Sequence, residues 1–438
     1  MAIEWHEVVI VGGGPAGAAT AILLRWRGHA VTLLEKAYLP RPKPCGESLS
    51  PEATPLLAAL GVLDELRAGL HGTRAGFAIY PYGDAPFRGT YAAGSGGNPA
   101  HPSGLSIPRL RLDAALLNAA RAAGVTVREG WAVRGAGAWD GAARTVDGQD
   151  AGGQPFTLRT PLLIGADGVH STIARRLGLT HPSQRLRQLA IVTHMRGVAD
   201  LGAYGEMHVT PTGYCGVAPL SDGVANVAMV VPAPSSHAAT RGTWRRASQR
   251  SSSKARAARA GSGTAASPRE AMGGIEGYLR AHLCSYPHLG DRLRDAEIVA
   301  GPWTTSGLAC RVARRVDDGL LLVGDAGGYY DPFTGEGIFR GLRSAVLASE
   351  TAGTALARGD TRAAQLRPYA WAYTREFTPK RLVEVIVHEV ITRRSLFEHV
   401  ARRLRRHPQL ADALVGVTGD IRSPYEVLSP WYLARLFV

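Results

Sequence analysis

The chain has 438 residues, 45% of them hydrophobic and 20% charged, with a formal net charge of +14. That balance excludes a disordered chain, a collagen-like repeat and a disulfide-stapled miniature, and the length calls for two or three lobes. Apolar runs such as Leu320–Val323 fall far short of the roughly 20 residues of a membrane-spanning helix.

The positive charge is concentrated. In residues 241–270, eight cations face only Glu270, and in residues 392–407 six arginines face only Glu398. The remainder is nearly neutral, and no DNA- or RNA-binding motif accompanies the two basic segments, so nucleic acid is not an expected partner. Peripheral contact with an anionic membrane surface is the partner that such arginine-rich stretches allow. Glu4 and Glu7 stand where a basic leader would be, and the four cysteines form no Cys-x-x-Cys pair. A cytoplasmic protein with free thiols, at most peripheral on the inner face of the membrane, is the resulting expectation. The histidines show no metal-ligand spacing, and no metal is expected.

In chain order, Glu7–Val11 reads as a buried strand, residues 12–17 as a Gly-rich turn and Ala18–Trp26 as a helix. Ala30–Leu34 is a second buried strand ending at Glu35. Residues 36–55 are proline-rich and irregular. A helix is predicted near Glu52–Leu66, strands and loops over Gly72–Pro108, and an amphipathic helix over Leu110–Ala123. A hairpin-like region opens at Thr126–Trp131, Leu162–Ile164 is a strand, and Leu189–Val231 alternates like antiparallel strands. Residues 235–274 are low-complexity Ser/Ala/Arg/Gly sequence, read as a mobile basic insertion without a core. Leu320–Val323 is another buried strand, a helix starts near Gly335–Ile338, and the remainder is largely helical.

Two strand–turn–helix signals carry chemistry. Gly12-x-Gly14-x-x-Gly17, with Pro15 and Ala16 inside the turn, lets a backbone approach a pyrophosphate at the positive end of the following helix. Glu35, 18 residues after Gly17, can accept a hydrogen bond from a ribose hydroxyl, with Lys36 beside it. Far along the chain, Gly324-Asp325 follows a strand and precedes Asp331-Pro332-Phe333-Thr334-Gly335-Glu336-Gly337-Ile338. A carboxylate there suits a flavin polyol, and the free N–H groups of a helix suit a pyrimidine carbonyl that gains charge on reduction.

Taken together, Gly12–Gly17, Gly165-Ala166-Asp167-Gly168 and Gly324-Asp325 resemble the p-hydroxybenzoate hydroxylase superfamily of FAD enzymes. Lys43-Pro44-Cys45-Gly46-Glu47-Ser48-Leu49-Ser50-Pro51 and the segment from Asp331 narrow the likeness toward its geranylgeranyl reductase branch, with flavin-dependent halogenases and monooxygenases as relatives. The resemblance covers about residues 1–355. It implies non-covalent FAD, reduced by transient NAD(P)H. It places Arg109 of Arg109-x-x-Leu112-Asp113 on the FAD, gives Asp167 a part in both cofactor sites, and sets Cys45 and Gly46 beside the flavin ring.

The chain departs from that pattern at Tyr214-Cys215-Gly216-Val217-Ala218-Pro219, where prenyl reductases have Tyr-x-Trp-x-Phe-Pro. Gly216 and Ala218 stand in place of two aromatic side chains, which favours a wide substrate pocket lined by Tyr214, Gly216, Ala218 and Pro219 over a backbone that has closed in or a gap filled by Tyr329 or Tyr330. The halogenase catalytic lysine has no counterpart in the region expected. Cys45 and Tyr214 are the expected catalytic residues.

The predicted fold is an α/β FAD-binding domain of the glutathione-reductase-like Rossmann kind, with an inserted antiparallel-sheet substrate domain and a helical C-terminal tail. Its segments are 1–75, 101–175 and 295–355 for FAD, 76–100 and 176–294 for substrate, and 356–438 for the tail. Three functions follow: reduction of a carbon–carbon double bond in a hydrophobic, bulky lipid- or polyketide-like substrate; hydroxylation or epoxidation of an aromatic or polyketide substrate by a flavin monooxygenase, with halogenation a weaker variant; or flavin binding without turnover.

Overall fold

The computed structural model describes residues 3–69, 71–91, 103–183, 186–233 and 274–437. The basic insertion expected over 235–274 therefore lies outside the described residues, apart from Gly274. Among the described residues, no helix is long and apolar enough to cross a membrane.

A six-stranded sheet runs in the order Val316–Asp317, Leu320–Leu322, Leu162–Gly165, Val8–Val11, Val31–Glu35, Thr126–Glu129. Its pairs are parallel except the first, which is antiparallel. Val8–Val11 and Leu162–Gly165 read as unbroken apolar runs because helices and further strands cover both faces. The helix Pro15–Trp26 packs between this sheet and the long helix Gly337–Ala357. Each large apolar side chain fully buried there contributes about 1.5–3 kcal/mol.

A second, seven-stranded sheet is built from Glu297–Ser306, Gln188–Arg196, Val224–Pro232, Gly213–Pro219, Gly205–Thr210, Gly76–Pro81 and Phe87–Thr90, in that order. The Gly205–Thr210 and Gly76–Pro81 pair is parallel and the other pairs are antiparallel. Cys215, Val217, Val227 and Met229 face the helix Gly274–Leu283 and the turns after it. Met207, Val209, Tyr214 and Val230 face the C-terminal helices Ala363–Ile391, Arg394–Arg406, Pro408–Thr418 and Pro430–Phe437. The tail thus closes one face of this sheet.

Four expectations change. The helix expected over Glu52–Leu66 is two short ones, Ala53–Ala59 and Leu63–Arg67, because the chain turns at Gly61 with φ +73°. Thr126–Glu129 is an edge strand of the parallel sheet, and the hairpin starts only at Ala132–Ala136, which pairs with Arg144–Gln149. Glu297–Ser306, placed with the FAD segments, pairs along Gln188–Arg196 instead. It alternates between half-buried and exposed residues, as an edge strand does. The helix expected near Gly335–Ile338 does begin there, at Gly337, but runs to Ala357, past the boundary at 355.

Candidate active site

A cavity of about 430 Å³ lies between the two sheets. The first Gly-rich turn forms one end. At Gly12, φ is +108° and a Cβ would come within 2.4 Å of the Ala166 carbonyl oxygen, while a Cβ at Gly17 would meet the Gly12 carbonyl oxygen at 1.9 Å. Both glycines close the strand–helix turn, and Gly17 does not reach the cavity wall. Gly14 differs. A Cβ there meets only Lys43 Nζ at 3.5 Å and an Arg109 guanidinium nitrogen at 3.9 Å. Space therefore remains between the turn and two cations, at a helix start that no side chain caps and that has Pro15 in its first turn. A pyrophosphate fits this cradle by charge and by shape.

The cations are held by Asp113, which is fully buried. Arg109 donates to it through Nε at 2.8 Å and a second nitrogen at 3.0 Å, and Lys43 Nζ lies 2.7 Å away. Burial alone would raise the Asp113 carboxyl, but Arg109 and Lys43 outweigh it and hold the group below its ordinary value. Burial lowers Lys43. For Arg109 the Asp113 charge overcomes the burial penalty, so the guanidinium is held more firmly protonated.

Glu35 ends the second parallel strand on the same wall. Its Oε2 accepts the Gly13 N–H at 2.8 Å and its Oε1 the Ala37 N–H at 3.0 Å, which fixes the carboxylate on the cavity wall. Lys36 and Gly168 also line the cavity. Asp167 Oδ2 accepts the N–H groups of Thr172 at 2.6 Å and Ile173 at 3.3 Å, whereas its buried Oδ1 has no partner. That orphaned acceptor on the wall suits a cofactor hydroxyl.

Asp325 lies further along, after Gly324, whose φ of +61° lets the chain turn against Ala16. Burial pushes the Asp325 carboxyl up, with the Arg340 and Arg109 charges opposing it only in part. A polyol hydroxyl could donate to this carboxylate on the cavity wall. Asp325→Ala should weaken FAD binding by about 2–3 kcal/mol, the range of a hydrogen bond to a charged group. Flavin retained per protein after gel filtration is the measurement. Gly335, Gly337 and Ile338 bring the start of the long helix to the cavity, beside Pro332.

The other half of the cavity is mostly apolar, with Arg74 and Glu206 also on its lining. Strand alternation puts Tyr214, Gly216 and Ala218 on one face of Gly213–Pro219, and all three line the cavity. Pro219, expected with them, is one residue out of phase and does not line it. Its carbonyl oxygen instead lies against Gly72. A Cβ at Gly216 would meet the Met207 methyl at 3.6 Å and two carbonyl oxygens at 3.9 Å, ordinary contact distances, so the wall here is backbone edged by Met207 and accepts a Cβ without a clash. Tyr329 also lines the cavity and Tyr330 does not.

The Tyr214 hydroxyl donates to Asp331 Oδ1 at 2.7 Å, and burial pushes the phenol well above its ordinary value. Asp331 also accepts from Gln188 Nε2 and the Phe333 N–H, so Tyr214 anchors the loop that carries Pro332. Cys45 and Gly46 line the cavity, and burial raises the Cys45 thiol, which leaves it protonated at neutral pH. Lys43, Glu47, Met207 and Asp331 were not singled out from sequence. Glu47 and Asp331 sat inside quoted motifs, and their roles rest on partners more than 100 residues away.

The model of the FAD binding domain family matches residues 6–267. The chain belongs to this family. Digeranylgeranylglycerophospholipid reductase from Methanoculleus marisnigri is 27% identical over 380 residues, covering 83% of this chain and 80% of the relative. Conditioned medium factor receptor 1 from Dictyostelium discoideum is 25% identical over 78% of this chain, which spans 62% of that relative's length. Other relatives are named menaquinone reductase and 6-methylpretetramide 4-monooxygenase. The geranylgeranyl bacteriochlorophyll reductase-like structure from Thermoplasma acidophilum has the same fold, with a TM-score of 0.74, 19% identity, and 99% and 98% of the two chains covered. The chain is thus an FAD-dependent oxidoreductase, resembling the geranylgeranyl reductase branch, with α/β sheets and C-terminal helices.

Proposed function

We propose that this FAD-binding oxidoreductase takes its electrons from NADH or NADPH and reduces a carbon–carbon double bond in a bulky hydrophobic substrate. The observation that carries the reading is the Cys45 thiol, protonated and on the wall of the cavity that also contains the Gly14 cradle. FAD, when bound and reduced, supplies a hydride. The chain's own part is the second hydrogen: Cys45 Sγ–H gives a proton to the neighbouring carbon, and the thiolate left behind regains one from solvent. The seven-stranded sheet serves as the inserted substrate domain, with Val192, Ala228, Val230 and Leu308 giving an apolar wall. Lys43 and Arg109, both held by Asp113, would hold the cofactor's charged end at the Gly14 turn, leaving the apolar wall for the substrate. Relatives named for reducing a digeranylgeranyl lipid and menaquinone support a lipid-like substrate. Exposed Trp431 and the arginines of Arg394–Arg406 support transient contact with a membrane surface from the cytoplasmic side.

A monooxygenase acting on a ring-bearing polyketide is the second reading, favoured by the lack of a side chain at Gly216 on the cavity wall. Anaerobic reduction with NADPH, followed by addition of menaquinone or a prenyl lipid, separates the two. A saturated product formed without oxygen supports the reductase; product formed only on oxygen admission, with a new hydroxyl, overturns it. Gly216→Trp should displace Met207 and project into the cavity. It should lower turnover of bulky substrates about tenfold or more while leaving FAD content and NADPH oxidation intact. Steady-state kinetics with a wide and a thin substrate give the comparison.

A further inference from the structure

Glu47 follows Cys45 by two residues and touches each element that meets around the thiol. Its φ is +55°, in the left-handed region that disfavours every residue but glycine, Asn and Asp. Its side chain is buried. Oε1 accepts the backbone N–H of Arg109 at 2.9 Å, at the start of the helix Arg109–Ala122. Oε2 lies 2.8 Å from His194 Nε2 and accepts from Asn226 Nδ2 at 3.0 Å. The same Asn226 nitrogen donates to the Cys45 carbonyl at 3.1 Å, and the Glu47 N–H points at Cys45 Sγ at 3.3 Å. His194 is itself restrained edge-on against Trp303 of the neighbouring strand, 5.3 Å between ring centres.

Glycine would meet this backbone conformation without strain, and one stands next door at 46. The chain keeps a glutamate there, and strain of this kind persists where the surroundings over-determine it. The partners over-determine it here. His194 and Asn226 sit on paired strands, Gln188–Arg196 and Val224–Pro232, whose neighbours Val192 and Ala228 line the cavity.

We propose that Glu47 is the positioning residue for Cys45, holding the thiol against the cavity and tying its place to the substrate-facing sheet through His194 and Asn226. The inference rests on the reading of Cys45 as proton donor. It adds a second consequence. The charged groups facing the thiol are Glu47 and Arg109; Arg109 favours the thiolate and Glu47 opposes it, on top of burial. Loss of the Glu47 charge leaves burial alone to oppose Arg109, so the thiol should ionise more easily.

The test uses the FAD-loaded protein and iodoacetamide, with labelling of the Cys45 peptide followed by mass spectrometry between pH 6 and 10. Glu47→Gly satisfies the backbone, and Glu47→Gln keeps the shape without the charge; melting temperature and FAD content confirm folding. Both variants should label Cys45 about three- to tenfold faster near neutral pH, with the profile moved to lower pH. Asn226→Ala, which keeps the Glu47 charge, should change the labelling rate without moving the profile. Equal Cys45 labelling in wild type and both Glu47 variants, at whatever rate, overturns the positioning role. If labelling shifts as expected but Cys45→Ala retains full turnover, the positioning stands and the proton-donor reading falls.

Discussion

Gly14→Val should leave the apoprotein folded and abolish its flavin, whereas Gly17→Ala should destabilise the protein itself. The two glycines are three residues apart in one turn and differ in what surrounds them. A Cβ at Gly14 has its nearest neighbour at 3.5 Å, the end of a flexible lysine, so a larger side chain costs the fold little. It would, however, occupy the space between the turn and the Lys43 and Arg109 cations, where the pyrophosphate fits. Loss of that contact should weaken FAD binding about a thousandfold, or 4 kcal/mol at 1.4 kcal/mol per decade. At Gly17 the added methyl would lie 1.9 Å from the Gly12 carbonyl oxygen. Backbone on both sides must then part, at a cost of about 3 kcal/mol. Thermal unfolding of the FAD-stripped proteins, beside titration with FAD, gives both quantities. A Gly14→Val protein that holds flavin as tightly as wild type would remove the cradle from the turn.

Cys45→Ala should cut double-bond reduction by about 10²–10⁴, the usual worth of a positioned general acid, and leave reduction of the bound flavin by NADPH unchanged. The split arises because the thiol acts after the cofactor is charged. In wild type the pH profile follows from the same group: the active form is the protonated thiol, and burial raises its value. Activity should therefore persist through neutral pH and fall as the pH rises through the raised thiol value. Cys45→Ser, with a much weaker acid, should lose that alkaline limb along with most of the rate. Single-turnover traces of flavin reduction and reoxidation separate the half-reactions. An unchanged reoxidation rate in Cys45→Ala would transfer the proton to another donor.

The nucleotide half of the site was legible in the residues themselves. Gly12, Gly14, Gly17 and Glu35 lie within 24 residues, in one strand–turn–helix–strand unit, and local sterics and the helix N-terminus dictate what such a unit binds. The long helix at Gly337 and the strand before Gly324 follow the same local logic, the helix starting within the expected Gly335–Ile338. The parallel sheet was legible for a related reason: strands buried on both faces are apolar throughout, as Val8–Val11 is.

The substrate half was decided by tertiary structure. Glu297–Ser306 has the alternation of an edge strand, and which sheet it joins depends on pairing with Gln188–Arg196, about 100 residues earlier. What a side chain at Gly216 would meet depends on Met207 from the adjoining strand. Glu47 and Asp331 gain their roles from His194, Asn226, Gln188 and Tyr214, all brought by that same sheet. A turn or a buried strand is specified by neighbours in the chain, so its residues announce it. A carboxylate held by donors more than 100 residues away is specified only when two sheets meet, because hydrogen bonding reaches about 3 Å in space and carries no signature along the sequence.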